Sequence, residues 1–363
     1  MKNSVKNSKF FKFSLKNFEL LFIVFLLIFS ISCSKKSEIK DFSQIEEYLV
    51  TQNFQGTVLI GQNGKILYQK GFGPQDSKNP ESKMNSPSTI YEAGSLSKQI
   101  TACAIMQLWQ QGKIDLDSPL SLYFPDFVYG NQITVKMLLN MKSGLSDHIN
   151  STYEFFPRKI AKKIDSAQIN GKPLEQNLVL KYLNSAPLIS KPGSTYFYSN
   201  TNYYLLAKIV EKVSGVPYKD YIQQNIFDFC KMSSSNLTFR HTDAKGYDKK
   251  GKSYSIPEEL AFGCGDLNTT AEDLFKWNTT LHSRKILNLF AYRLMTKEKG
   301  YTCGFYHNHQ GFFHAGVTNG FNSYNAYYTS KKLSVIVLAN QPLERCNAAF
   351  IASHIFESVQ QIL

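Results

Sequence analysis

The chain has 363 residues, 43% of them hydrophobic and 14% aromatic, enough for one large domain or two ordinary ones and too apolar for a disordered chain. Its formal charge is +13, to which the five lysines and one glutamate of the first 32 residues contribute +4. The remaining basic residues are scattered, apart from pairs such as Lys249-Lys250 and Lys331-Lys332, and no basic stripe is interleaved with aromatics. That pattern argues against nucleic acid as a partner and suits a mildly basic surface beside anionic lipid or cell-wall polymer.

At the N-terminus, Lys2, Lys6, Lys9, Lys12 and Lys16 precede an apolar run from Leu20 to Ile31, closed by Ser32-Cys33. A basic segment, a short apolar stretch and a small residue read as a signal peptide over residues 1–32. The run is shorter than the roughly 20 apolar residues a spanning helix needs. Its end resembles a bacterial lipobox, with Ser30 where leucine is usual. The resemblance implies lipidation of Cys33, a tether over residues 33–50, and a protein anchored in the bacterial cell envelope, facing the periplasm or the outside.

Asp41 to Leu49 reads as a short helix. Two β-type runs, Thr57 to Gly61 and Ile66 to Lys70, flank Asn63-Gly64, a strong hairpin signal because both turn positions need positive φ. A Pro/Ser/Asn-rich loop follows from Pro74 to Ser88. Ser95 to Gln111 is helical in character, apolar on nearly every face and stopped by Gly112, which predicts a buried central helix. Residues 113–260 read as mostly helical, with helices at Lys136–Met141 and Tyr203–Val213. Ile149 to Gly171 is polar and aromatic without a clear period, and is expected to be an excursion over the cleft or the surface. Phe321 to Tyr328 and Leu333 to Leu338 read as strands, and Cys346 to Leu363 as an amphipathic helix. Strands at both chain ends with helices between them describe an α+β fold: one antiparallel sheet from the two ends, flanked by helices, and a mostly helical inserted lobe over roughly 101–260 within a 51–363 domain. A cleft between the two parts is where a small-molecule site is expected.

Cys103, Cys230, Cys264, Cys303 and Cys346 are odd in number, widely spaced and without C-x-x-C, so a zinc ribbon or redox motif is not on offer and at least one thiol should be free. His307, His309 and His314 read as histidines of a polar turn, and neither a metal nor another cofactor is expected.

Ser95-Leu96-Ser97-Lys98 is an S-x-x-K tetrad after Gly94. Three residues apart on a helix, a lysine amine reaches the serine hydroxyl, and a serine at a helix N-terminus sits where backbone N–H groups stabilise a developing anion. A lysine buried there is expected to have a lowered pKa, so that its neutral form accepts the serine proton. S-x-x-K also occurs at Ser32 and Ser37, so context must select the Ser95 copy.

The context is a resemblance. Tyr91 to Gln99 resembles the nucleophile segment of the serine β-lactamase and penicillin-binding protein superfamily, nearest to class C β-lactamases and related DD-peptidases and esterases. Ile133 to Leu139 leading into Ser143-Gly144-Leu145, Lys191-Pro192-Gly193 before Tyr198-Ser199-Asn200, Thr270 to Leu274 with Trp277, His314-Ala315-Gly316, and Val335 to Asn340 resemble further landmarks in the family's order. Together they cover roughly residues 52–358. The resemblance implies Ser95 as nucleophile, Lys98 as its base, Tyr198 as proton relay, and Asn200 orienting lysine and substrate. It further implies the N–H of Val317, with that of Ser95, as oxyanion hole. Gly316, on a strand facing the cleft, is expected to let the substrate backbone approach. His314 stands where many β-lactamases carry lysine and, mostly neutral at pH 7, is a weaker carboxylate anchor. The implied activity is acyl-enzyme hydrolysis of a D-Ala-D-Ala-type peptide of peptidoglycan, a β-lactam, or a small ester or amide. A non-catalytic ligand-binding surface lipoprotein of the same fold is the alternative.

Overall fold

Asn63 and Gly64 both take left-handed backbone (φ 52° and 75°), so the chain reverses tightly between β1 (Gly56–Gln62) and β2 (Lys65–Phe72), as the Asn-Gly turn predicts. The computed structural model describes residues 41–363 apart from 80, 239, 240 and 255; the signal peptide, Cys33 and the rest of the tether up to residue 40 lie outside the described residues. Helix α1 (Ser43–Thr51) precedes the hairpin, and β3 (Tyr91–Gly94) leads through a two-residue turn into α2 (Ser97–Gln110). Then come α3 (Val135–Leu139), α4 (Arg158–Asn170), α5 (Asn200–Ser214), β4 (Leu267–Thr269), α6 (Ala271–His282) and α7 (Leu289–Thr296). The chain finishes with β5 (Gly300–Thr302), β6 (Phe305–His307), β7 (Gly311–Thr318), β8 (Phe321–Tyr328), β9 (Leu333–Ala339) and α8 (Ala348–Ile362).

All the strands but β3 and β4, which pair separately, make a seven-stranded antiparallel sheet in the order β2-β1-β9-β8-β7-β6-β5, so the N-terminal hairpin is zipped to the C-terminal meander through β1 and β9. The period of two along these strands explains the layering. Val58 and Ile60 of β1, with Leu333, Val335 and Val337 of β9, face a core shared with α1 and α8. Leu59, Ile336 and Leu338 face the other way, into the large core of the helical part. The α+β architecture inferred from the sequence is the one observed.

In that larger core α2 and α5 pack together, with every residue from Ser97 to Leu108 and from Asn200 to Val210 buried. Two expectations need correction. Residues 149–171 are largely helical: Thr152–Phe155 forms one turn, and α4 buries Ala161, Ile164 and Ala167 on a single stripe whose small alanines hide the period. The buried helix also starts two residues later than expected, so Ser95 stands in the turn before it. All five cysteines named above are free and buried.

Candidate active site

The turn that carries Ser95 is braced from both sides. β3 pairs with β4 (Glu92↔Asn268, Gly94↔Leu267), and Gly94 adopts φ 54°, which turns the chain sharply before the helix. The Ser97 hydroxyl donates to the Gly94 carbonyl at 2.9 Å and accepts the Leu267 N–H at 2.8 Å, tying turn, helix and β4 together. The Lys98 N–H donates to the Ser95 carbonyl at 3.2 Å, so the two residues still sit one turn apart.

Lys98 is fully buried, and its ammonium donates to three oxygens: Ser95 Oγ at 3.0 Å, Asn200 Oδ1 at 2.7 Å and the Cys264 carbonyl at 2.6 Å. The last two can only accept. They fix two of the three tetrahedral directions at Nζ and leave the third for the serine, as an N–H when the amine is charged and as a lone pair when it is neutral. Tyr198 OH donates to the same Ser95 Oγ at 2.9 Å. Burial raises the Tyr198 pKa, partly offset by the Lys98 charge, so the phenol holds its proton at neutral pH. Residues 95, 98, 198 and 200, spread over more than a hundred positions of sequence, are thus brought within hydrogen-bonding reach of one another.

Asn200 begins α5, and its side chain is oriented by a residue that sequence reasoning missed. Asp147 is 2% exposed and accepts from Asn200 Nδ2 at 2.9 and 3.2 Å and from the Asn200 N–H at 3.2 Å. It also takes the N–H groups of Ile149 and Asn150 at 2.8 and 3.1 Å. Burial alone would raise the Asp147 pKa; the neighbouring His148 and these N–H donors outweigh it, and the carboxyl titrates below its ordinary value. Because the carboxylate can only accept, the amide nitrogen of Asn200 must face it and the amide oxygen must face Lys98. The polar run Ser146-Asp147-His148 after Ser143-Gly144-Leu145 was a usable signal. The Cys264 carbonyl, a backbone group, left none.

The opposite wall of the cleft is β7. His314, 2% exposed, lies among the rings of Tyr198, Tyr301 and Tyr306. Burial, and secondly the Lys98 charge, push its pKa down to about 3. Val317 is exposed, and its backbone nitrogen lies 3.1 Å from where a Cβ on Gly94 would stand, which puts β7 directly beside the nucleophile turn. Gly316 corrects the reason expected for it. A Cβ there would meet the Ala93 carbonyl oxygen at 2.0 Å and Ser323 Oγ at 2.4 Å, so the glycine is required by the protein's own strand β3 rather than by an approaching substrate. Ser95, Tyr198, Asn200, His314 and Val317 line one cleft of ≈ 350 Å³, with Ile149, Ile256 and Tyr306.

The sequence profile of the Beta-lactamase family matches residues 42–355. PbpX of Bacillus subtilis (strain 168), which carries the name penicillin-binding protein, is 31% identical over 308 residues, spanning 82% of this chain and 73% of the relative. The teichoic acid D-alanine hydrolase of Staphylococcus aureus is 29% identical over 318 residues, with coverage of 82% and 73%. Among solved structures, FmtA from Staphylococcus aureus superposes with a TM-score of 0.72 at 25% identity, over 94% of this chain and 96% of that one.

Proposed function

The chain belongs to the Beta-lactamase family and is a serine hydrolase, and on that premise we propose that it forms an acyl-enzyme on Ser95 and hydrolyses D-alanyl esters or amides. The observation that carries this reading is the convergence of Lys98 Nζ and Tyr198 OH on one serine oxygen, at 3.0 and 2.9 Å. The D-alanyl part rests on the similarity to the teichoic acid D-alanine hydrolases.

In the first half-reaction, neutral Lys98 takes the Ser95 proton as Oγ bonds to the acyl carbon, and the carbonyl electron pair moves onto its oxygen. The N–H groups of Ser95 and Val317 hold that oxyanion. As the tetrahedral adduct collapses, the bond to the leaving oxygen or nitrogen breaks, and the leaving atom takes the Tyr198 proton. Lys98, whose ammonium is a hydrogen-bonding neighbour of the Tyr198 hydroxyl, returns that proton directly to the phenolate, because Ser95 Oγ now carries the acyl group. Water then attacks the Ser95 ester and passes its own proton back through the same pair, freeing the acid and regenerating the serine. Asn200 holds Lys98 in place throughout.

A fluorophosphonate probe and a D-alanyl ester test this. Wild type is expected to be labelled and to release D-alanine; Ser95→Ala should do neither, and Tyr198→Phe should lose about 10²–10⁴-fold in rate. Equal labelling of Ser95→Ala would overturn the assignment. We further propose that lipid on Cys33 holds the enzyme in the bacterial cell envelope, which metabolic fatty-acid labelling of wild type against Cys33→Ala tests.

A further inference from the structure

The Cys264 carbonyl that holds Lys98 belongs to a short turn, residues 263–266, in which each of the four N–H groups has an acceptor. The Gly263 N–H donates to Asp266 Oδ2 at 2.8 Å, and the Asp266 N–H turns to the same carboxylate. The Cys264 and Gly265 N–H groups both donate to the Ala261 carbonyl, at 2.9 and 2.7 Å. The Asp266 carboxylate thus takes the first and last donors of the turn, and Ala261 the middle two.

Two carbonyls of the turn meet α2. Thr101 Oγ1 donates to the Gly263 carbonyl at 2.6 Å and Lys98 Nζ to the Cys264 carbonyl at 2.6 Å, from side chains three residues apart on one helix face. On the other side the turn presses on α5: a Cβ at Gly263 would stand 2.3 Å from that of Ala207. Cys264 has a glycine before and after it, and Gly263 takes left-handed backbone at φ 66°. Glycine leaves the flanking peptide planes free to rotate, so hydrogen bonds rather than side-chain bulk decide where the Cys264 carbonyl points. Asp266 itself is poorly compensated. Its Oδ1 is buried without a hydrogen-bond partner among the described residues, and burial raises the carboxyl's pKa to about 6 against the pull of the N–H groups. What the carboxylate does achieve is closure of the turn.

We propose that Asp266 is a positioning residue for acylation: by closing the 263–266 turn across the Gly263 N–H, it aims the Cys264 carbonyl at Lys98 and so keeps the third direction of Nζ on Ser95. This rests on the acyl-enzyme reading above. Without the carboxylate the Gly263 N–H loses its acceptor, the glycine-flanked peptides turn to find another, and the Cys264 carbonyl swings off Nζ. Lys98 then keeps Asn200 alone as a fixed acceptor, and its lone pair meets the serine hydroxyl less often.

Single-turnover acylation of the full chain by a saturating activated D-alanyl ester separates positioning from folding. The first-order rate constant does not depend on how much protein is folded, whereas the amplitude counts it. Asp266→Ala should lower the rate constant by at least about tenfold, the scale of one lost hydrogen bond to a charged group. Asp266→Asn, whose amide oxygen can still take the Gly263 N–H, should react at least fivefold faster than Asp266→Ala. If Asp266→Ala gives no amplitude, Asp266→Thr, which has no oxygen at the carboxylate's reach, replaces it in both comparisons. A smaller loss of rate constant, with or without a lower amplitude, overturns the proposal and leaves Asp266 a purely structural residue. An Asn variant as slow as the Ala one overturns it too, because the charge and not the closed turn would then matter, and so does the absence of amplitude from both Ala and Thr. A wild type that takes up no acyl group on Ser95 instead refutes the acyl-enzyme reading, and this proposal with it.

Discussion

Replacing Asp147 by asparagine tests the support beneath the catalytic lysine. The new amide keeps one oxygen, which can still take the N–H groups of Ile149 and Asn150 at their 2.8 and 3.1 Å positions. Its NH₂ group, however, faces Asn200 Nδ2, 2.9 Å from the present carboxylate oxygen, and the Asn200 backbone N–H at 3.2 Å. Donor then opposes donor at both contacts, and rotating the Asn200 amide half a turn relieves the side-chain one. That rotation points its NH₂ at Lys98 Nζ and removes the 2.7 Å acceptor that holds the amine. A hydrogen bond to a charged group contributes about 1.5–3 kcal/mol. At about 1.36 kcal/mol per decade of rate, losing it slows acylation roughly ten- to a hundred-fold. The double variant Asp147→Asn with Asn200→Asp should not recover, because a carboxylate beside Lys98 favours the charged amine that cannot accept the serine proton. Stopped-flow acylation by an activated ester, with thermal unfolding in parallel, is the assay. Acylation within twofold of wild type in a variant that folds normally would refute the idea that Asp147 sets the Asn200 orientation.

Gly316→Ala forces a methyl to within 2.0 Å of the Ala93 carbonyl and should destabilise the fold by about 1–3 kcal/mol, with a lowered melting temperature; an unchanged melting temperature would mean that β3 and β7 separate freely. His314 stays neutral in the fold down to about pH 3, while in the unfolded chain it titrates near its ordinary value of 6.5. Below pH 6.5 the unfolded state therefore binds a proton that the native state refuses. The stability held in full above that pH is lost as pH falls toward 3, with a limiting slope of about 1.4 kcal/mol per pH unit. Urea unfolding at pH 7, 5.5 and 4.5 should show a shallower dependence in His314→Gln than in wild type, and parallel curves would refute it.

The elements that were legible in the sequence are those where local chemistry and tertiary demand agree. Asn63-Gly64 forms a hairpin because both residues tolerate positive φ, and β8 and β9 alternate because each face of the sheet has its own core. The α4 helix was hidden because its buried stripe is built on Ala161, Ile164 and Ala167 between lysines, a weak apolar signal. Within the site, Ser95, Lys98, Tyr198 and Asn200 could be singled out because motifs place them, and the structure brings them together. Asp147 escaped because its task is to orient another side chain, and Cys264 because it contributes only its main chain. The reason for Gly316 was misread, since a close approach of strand to strand leaves the same mark in sequence as a close approach of strand to ligand.

The register of β1 against β9 ties Thr57 to Leu338, about 280 residues along the chain. Few contacts span so much sequence, and folds dominated by such distant pairings form slowly. During synthesis β1 must wait with only β2 beside it, its inner edge unsatisfied, until β9, the last strand, has been made. Such an open edge invites pairing with other chains. A ribosome stalled before residue 333 would thus leave a nascent chain without its central zipper, prone to aggregate and unable to close the sheet on which the nucleophile turn rests.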